Sequence, residues 1–211
     1  KWNDFVGEWL CAAPITFFLG AFKTQHLIHH KEPLVITDPE YLMTGGFPIS
    51  RSSLRRKLLR DFFGLTNFRG NLMLNFQRAK VEGFRAYIPT ITILLLMWLG
   101  FFFVGHPWYV FLFWMLPGAT IAVVFVRVGI LSQHAGLKPN SDQSQVARTV
   151  ISPLSYFFLP LNLNYHGEHH LYPRVPFYHL PKLHKFLNRQ KEYPLRIVYS
   201  SYLQVIKEIT Y

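Results

Sequence analysis

The stretch AYIPTITILLLMWLGFFFVGHPWYVFLFWMLPGATIAVVFV, residues 86–126, decides the fold of this chain. These 41 residues contain no Lys, Arg, Asp or Glu, although the 211-residue protein carries 22 basic and 11 acidic side chains. The apolar runs Ala86–Val104 and Trp108–Val126 each approach the roughly 20 residues that a helix needs to cross about 30 Å of hydrocarbon. The Gly-His-Pro sequence at 105–107 predicts a tight turn between them. The pattern therefore predicts an all-α integral membrane protein with one transmembrane hairpin and a cytosolic helical cap.

Basic residues flank the outer ends of the hairpin. Arg78, Lys80 and Arg85 precede it, Arg127 and Lys138 follow it, and its turn carries no Lys or Arg. The positive-inside rule predicts that both long polar segments lie in the cytoplasm. The net charge is +11. Because the basic residues flank the predicted membrane helices, they are expected to contact phospholipid rather than nucleic acid.

Charge and hydropathy divide the chain into four predicted segments. Asp4, Glu8 and Pro14 interrupt the first apolar stretch, which favours an interfacial or re-entrant helix over a true span. The stretch Ser53–Leu65 alternates apolar and basic residues at helical spacing. It predicts an amphipathic helix in the headgroup plane, with a solvated basic helix as the alternative. The segments are an apolar helix at 1–25, a cytosolic segment at 26–85 with a histidine cluster and the basic helix, the hairpin at 86–126, and a cytosolic segment at 127–211.

Seven of the ten histidines form a pattern. The clusters HLIHH and HGEHH both place histidines at i, i+3 and i+4, so a helix would present three imidazoles on one face. Imidazole nitrogens bind iron, zinc, copper and nickel. One more histidine follows the second apolar run and could reach a site shared by the two clusters. The predicted metal ligands are His26, His29, His30, His134, His166, His169 and His170.

No catalytic residue is predicted beyond these ligands. Asp38, Glu168 and His184 are candidates for hydrogen bonds that orient a ligand, with capping, loop or other structural roles as the alternatives. The sequence HGEHH is not the HExxH pattern of zinc proteases, because Gly167 stands where that pattern requires glutamate. A GxGxxG or phosphate-binding loop is also missing, so no nucleotide cofactor site is predicted. Ligands outside the apolar runs argue against a cation transporter, whose ligands should lie within the spans.

These motifs resemble the membrane-bound fatty acid desaturase and hydroxylase superfamily. QHLIHHKEPLVITDPEYL (Gln25–Leu42) is similar to its second histidine box, NYHGEHHLYPRVPFYHLPKLH (Asn164–His184) to its third, and RVGILSQHAGL (Arg127–Leu137) to the segment with an additional histidine. The resemblance covers almost the whole chain. The family's first, two-histidine box is missing, and Trp2–Ala13 resembles the stretch that usually follows it. We therefore expect the box to lie upstream of Lys1, and a polypeptide without it to be inactive.

The resemblance implies two iron ions, O2 as co-substrate and an acyl-lipid desaturase that removes two neighbouring hydrogens from an acyl chain. A hydroxylase or ketolase of the same superfamily is the alternative, and a non-catalytic membrane metal-binding protein is the alternative outside it. The implied partners are an acyl lipid, acyl-CoA or acyl-carrier-protein substrate, membrane lipids, and an external electron carrier such as ferredoxin, rubredoxin or cytochrome b5. The metal site is expected on the cytoplasmic side. The sequence leaves the chain length, the double-bond position and the acyl carrier open.

Overall fold

The computed structural model describes residues 2–70, 83–139, 142–190 and 197–211, and most of them are helical. Short π-helical and 3₁₀ turns extend several of the α-helices. Two three-residue strands, β1 (Arg148–Val150) and β2 (Ile197–Tyr199), pair in parallel. The α-helices that lie wholly within the described residues are α1 (Trp2–Val6), α2 (Leu19–Lys31), α3 (Tyr41–Thr44), α4 (Arg51–Phe62), α5 (Ile88–Phe103), α6 (Leu116–Ala119), α7 (Ile121–His134), α8 (Ser155–Phe158), α9 (His166–Leu171), α10 (Leu180–Arg189) and α11 (Tyr202–Ile209). Residues 65–70 are helical as well.

Two helical runs are long and apolar enough to cross a membrane, as the charge-free stretch predicts. They are Phe84–Phe103, with 20 residues, and Phe111–His134, with 24 residues, and only 6% of the most apolar window of each is buried. The turn between them contains Gly105 at a φ of 80°, where glycine is favoured. The second run does not end at Val126 but continues to His134. It stops there because Gly136, at a φ of 77°, provides the left-handed residue that ends a helix.

The N-terminal apolar segment is bent. Trp2–Ile15 and Leu19–Lys31 meet at 97°, which is the form of a broken span or a re-entrant loop. Pro14 lies just before the bend and Thr16 within it has a φ of 57°. The Glu8 carboxylate accepts the backbone N–H of Leu19 at 2.9 Å and so satisfies a donor at the start of α2. The interfacial or re-entrant placement of residues 1–25 stays a prediction.

The described residues fall into two compact units. One comprises Lys1–His26 with Leu59–Val124, and the other comprises Leu27–Leu58 with Phe125–Tyr211. The second unit has an apolar core in which α11 contributes a stripe of residues three and four apart, as an amphipathic helix should. The core consists of Leu54, Leu131, Ala135, Val150, Leu159, Tyr202, Val205 and Ile209.

The basic helix differs from its prediction in length and in what its apolar face contacts. It runs from Arg51 to Phe62 and ends before Gly64, which has a φ of 72°, rather than continuing to Leu65. Leu54 lies in the core of the second unit and Leu58 packs against it, so these side chains contact protein rather than lipid headgroups. The flanking residues Arg78 and Lys80, on which the predicted orientation partly depends, lie outside the described residues.

Candidate metal centre

Both histidine clusters are helical, as their spacing predicts. The first lies in the last two turns of α2 and the second opens α9. His26 belongs to the first unit and lies one helical turn before His30. The i, i+3, i+4 spacing therefore places the imidazoles of each cluster along one side of its helix.

Four histidines of the second unit come together in a buried group. They are His29 from α2, His134 at the end of α7, and His166 and His170 from α9, and one nitrogen of each lies within 4.8 Å of the others. The Nε2 atoms of His134 and His166 are 2.8 Å apart, and those of His166 and His170 are 3.2 Å apart. The Nε2 atom of His29 lies 3.2 Å from that of His170. The group draws one residue from the first cluster, two from the second and His134.

The donor set fits a metal ion. His134 donates its Nδ1–H to the carbonyl oxygen of Val146 at 2.9 Å, which leaves Nε2 as the unprotonated nitrogen. His29 is fixed in the same tautomer because its Nδ1 faces a carboxylate. His134 and His29 therefore each direct an Nε2 lone pair into the group, where a metal ion can accept it. Two ligands about 2.1 Å from a metal ion and at right angles to each other lie about 3.0 Å apart, close to the observed spacing.

Burial keeps the α9 histidines neutral. Desolvation lowers the pKa of His166 well below its ordinary value, and the neighbouring His134 and His170 lower it further. The pKa of His170 is lowered by the same burial and then by His134 and His30. A metal ion binds the neutral imidazole, so these residues do not have to lose a proton at neutral pH.

Asp38 holds His29 in place. Its two carboxylate oxygens lie 3.0 and 2.9 Å from Nδ1 of His29. They also accept the backbone N–H groups of Glu40 and Leu34, each at 2.8 Å. Burial by itself would raise the pKa of Asp38, but the hydrogen bonds from His29 and the two amides outweigh it, and the pKa lies below its ordinary value. The side chain is therefore a carboxylate that orients a ligand through the opposite ring nitrogen.

Glu168 connects α9 to its surroundings. One carboxylate oxygen lies 2.7 Å from Nδ1 of His184 in α10, and the other accepts the hydroxyl of Thr149 in β1. Burial would raise the pKa of Glu168, but these two hydrogen bonds lower it below its ordinary value. Gly167 allows the close approach, because a Cβ there would lie 3.0 Å from the Thr149 hydroxyl oxygen. Glu168 thus holds in position the short helix that carries three predicted ligands.

A second histidine pair lies next to the four-histidine group. His30 and His169 approach to 2.9 Å between their Nε2 atoms. Both are partly exposed. The ring of His30 also stacks on that of His170, with centroids 4.3 Å apart. The five cluster histidines of the second unit thus fall into two neighbouring sets. His29, His166 and His170 join His134 in the buried group, and His30 pairs with His169.

Three residues that contact the site are not among the predicted site residues. Val146 supplies only a backbone carbonyl and Thr149 only a hydroxyl, and neither residue type carries a sequence signal for such a role. The third is Glu40, whose Oε2 lies 3.9 Å from Nε2 of His29, on the side of the ring that faces the group. Burial raises the pKa of Glu40, and the nearby Asp38 carboxylate adds to this rise against the opposing effect of His29.

One comparison with known proteins identifies a family. The family model described as Fatty acid desaturase matches residues 1–202, almost the entire chain. No curated protein matches the chain. The family match, the two helices apolar enough to cross a membrane and the buried histidine group are consistent with a metal-binding integral membrane protein.

Proposed function

This chain belongs to the fatty acid desaturase family, and from that premise we propose that it acts as an O2-dependent acyl-lipid desaturase. The family supports a desaturase-type oxidoreductase in general. The observation that carries this proposal is the buried group of four histidines, whose Nε2 atoms are held at metal-ligand spacing.

We assign the predicted ligands to two iron ions. His29, His134, His166 and His170 would hold one, while His30 and His169 would hold the other together with His26, one turn earlier in α2. Bound iron supplies the one-electron chemistry with O2 that no acid or base side chain provides. The protein fixes the tautomers of His29 and His134 through Asp38 and Val146 and keeps water out by burying the group.

The reaction balances only with an outside reductant. A –CH2–CH2– unit, O2, two electrons and two protons give –CH=CH– and two molecules of water. We propose that a soluble or membrane-bound one-electron carrier, such as ferredoxin, rubredoxin or cytochrome b5, supplies the electrons on the cytoplasmic side. The exposed side chains of Arg55 and Arg56 on α4 offer positive charge to an acidic carrier. Turnover is then expected to fall as salt rises, and salt-independent turnover would contradict this docking.

The test of function is expression of the complete gene that encodes this chain in a host with a simple lipid profile. Mass spectrometry is expected to find a new monounsaturated acyl species, and purified protein is expected to contain iron. His170→Ala should abolish the product and lower the iron content, because it removes a ligand from the buried group. His179→Ala is the matched control, since His179 is exposed and is not among the predicted ligands.

The lipid product that is detected decides between the candidate functions of this protein. A hydroxylated acyl chain that depends on His170 would replace desaturation by the hydroxylase reaction of the same superfamily. Iron binding without any oxidised lipid, in cells with an active electron carrier, would contradict the enzymatic proposal and leave a non-catalytic metal-binding protein.

A further inference from the structure

An apolar surface lies outside the spans, in the segment Ile151–Tyr165. These 15 residues contain no charged side chain and no histidine. Tyr156 is 81% exposed, Phe157 66%, Leu161 63% and Leu154 52%. Large apolar residues scattered singly on a surface need no explanation, but four of them within eight residues mark an interaction site.

Packing on its inner side holds this segment in place. Leu159 is buried in the core of the second unit, and the ring of Phe158 lies 5.0 Å from that of Tyr202. Ser155 at the start of α8 donates its hydroxyl to the carbonyl oxygen of Val150 at 2.9 Å and accepts the Tyr202 hydroxyl at 3.1 Å. These contacts fix the backbone of the segment, so the exposed side chains of Tyr156 and Phe157 are held in their outward positions.

The backbone at Leu161 is also conformationally constrained. It has a φ of 60°, a left-handed conformation that is unusual for a residue with a branched side chain. The next residue, Asn162, donates its side-chain amide to the carbonyl oxygen of Phe177 at 3.2 Å. Phe177 and Tyr178 are themselves exposed, so this hydrogen bond brings a second apolar stretch beside the first.

The segment packs directly on one of the two membrane-spanning helical runs. Within the second unit, the ring of Phe158 lies 5.4 Å from that of Phe125. A Cβ at Gly129 would lie 2.8 Å from Leu159, so glycine allows the close approach of the segment to the helix. Both Phe125 and Gly129 belong to the run Phe111–His134. The exposed side chains thus continue the apolar surface of a helix that the bilayer surrounds.

We propose that Leu154, Tyr156, Phe157 and Leu161 insert into the hydrocarbon boundary of the cytoplasmic leaflet and seat the histidine-bearing unit on the membrane. Aromatic residues at this depth place their rings in the interface, and Tyr156 keeps its hydroxyl available to the headgroups. Arg174, Lys182 and Lys185 follow in the chain and are exposed, which suits an anionic surface. The inference rests on insertion of the spanning helices and on no step of the reaction.

Site-directed spin labelling tests the proposal on the whole chain. Cys11, the only cysteine, is replaced by serine, and single cysteines are introduced by Phe157→Cys and Tyr156→Cys. Each labelled protein is reconstituted in vesicles of phosphatidylcholine and phosphatidylglycerol. Relaxation of the label by O2, which concentrates in hydrocarbon, is compared with relaxation by a water-soluble nickel chelate. Phe113→Cys in the span and Asp142→Cys at an exposed loop position are the lipid and water references.

Labels at 156 and 157 are expected to show the O2-to-nickel accessibility ratio of the Phe113→Cys reference. A ratio equal to that of Asp142→Cys at both positions would overturn the proposal. Spin–spin broadening at 157 that disappears on dilution with unlabelled protein would also overturn it, because a second copy would then cover the surface. The measurement needs neither bound metal nor turnover. The membrane-contact proposal can therefore hold when the desaturase proposal fails, and it can fail when the desaturase proposal holds.

Discussion

Replacing Asp38 by asparagine tests whether this carboxylate prepares His29 for a metal ion. The two carboxylate oxygens accept three N–H groups, from His29 and from the backbone of Leu34 and Glu40, at distances of 2.8–3.0 Å. Asparagine has the same shape but only one acceptor oxygen. Its NH2 group must therefore face one of these donors, which leaves a buried N–H without its partner.

The expected magnitude follows from these contacts. Loss of a hydrogen-bonding partner behind a metal-bound histidine costs about 10- to 100-fold in metal affinity. This range corresponds to about 1.4–2.8 kcal/mol. It also agrees with the roughly 1.5–3 kcal/mol of one hydrogen bond to a charged group. We therefore expect Asp38→Asn to weaken Zn²⁺ binding by about 10- to 100-fold.

The assay is competition for Zn²⁺ between the metal-free protein in detergent and a chromophoric chelator. Asp142→Asn is the matched control, because Asp142 is exposed and its Oδ1 accepts the Ser144 amide at 2.9 Å in a surface loop. That variant should bind like the wild type. Circular dichroism shows whether both variants are folded. An affinity of folded Asp38→Asn within about twofold of the wild type would refute the role assigned to Asp38.

Three further predictions concern α9 and its contacts. The native pKa values of His166 and His170 lie below that of the unfolded chain, so only the unfolded state takes up their protons. The free energy of unfolding of the metal-free protein should therefore fall as pH drops below about 6.5, by up to about 1.4 kcal/mol per residue and pH unit. The thermal midpoint should fall with it, and a midpoint that does not change with pH would contradict this. Gly167→Ala should destabilise by about 1–3 kcal/mol in calorimetry, whereas Gly20→Ala, with nothing within 4 Å, should not. His184→Ala should lower bound iron in elemental analysis by freeing α9, and unchanged iron would refute that role.

The hairpin and the helical histidine clusters could be predicted from sequence because both depend on local patterns. Hydrocarbon excludes charge, so 41 residues without a formal charge predict membrane helices whatever the rest of the chain does. Likewise, i, i+3, i+4 spacing aligns side chains on any helix. The helix of the second run extends beyond the apolar stretch that ends at Val126, because hydropathy marks where the apolar residues end, whereas the helix continues to His134, two residues before the left-handed Gly136.

The tertiary structure alone decided how the histidines are grouped. His29 and His30 are adjacent in sequence, but successive residues differ by about 100° around a helix axis. His29 therefore joins the buried group with His134, while His30 faces His169. Which neighbour each ring meets depends on how α2, α7 and α9 pack, and no spacing within one helix contains that information.

The residues that orient the ligands show the same limit. The carboxyl groups of Asp38 and Glu168 could be proposed from sequence because they stand close to the clusters. Their partners could not all be proposed, since Thr149 in β1 is 19 residues from Glu168 and the Val146 carbonyl is 12 residues from His134. Sequence determined which side chains can bind metal and where helices form. The packing of distant segments decided which nitrogens meet, because only tertiary contacts bring those atoms within hydrogen-bonding distance.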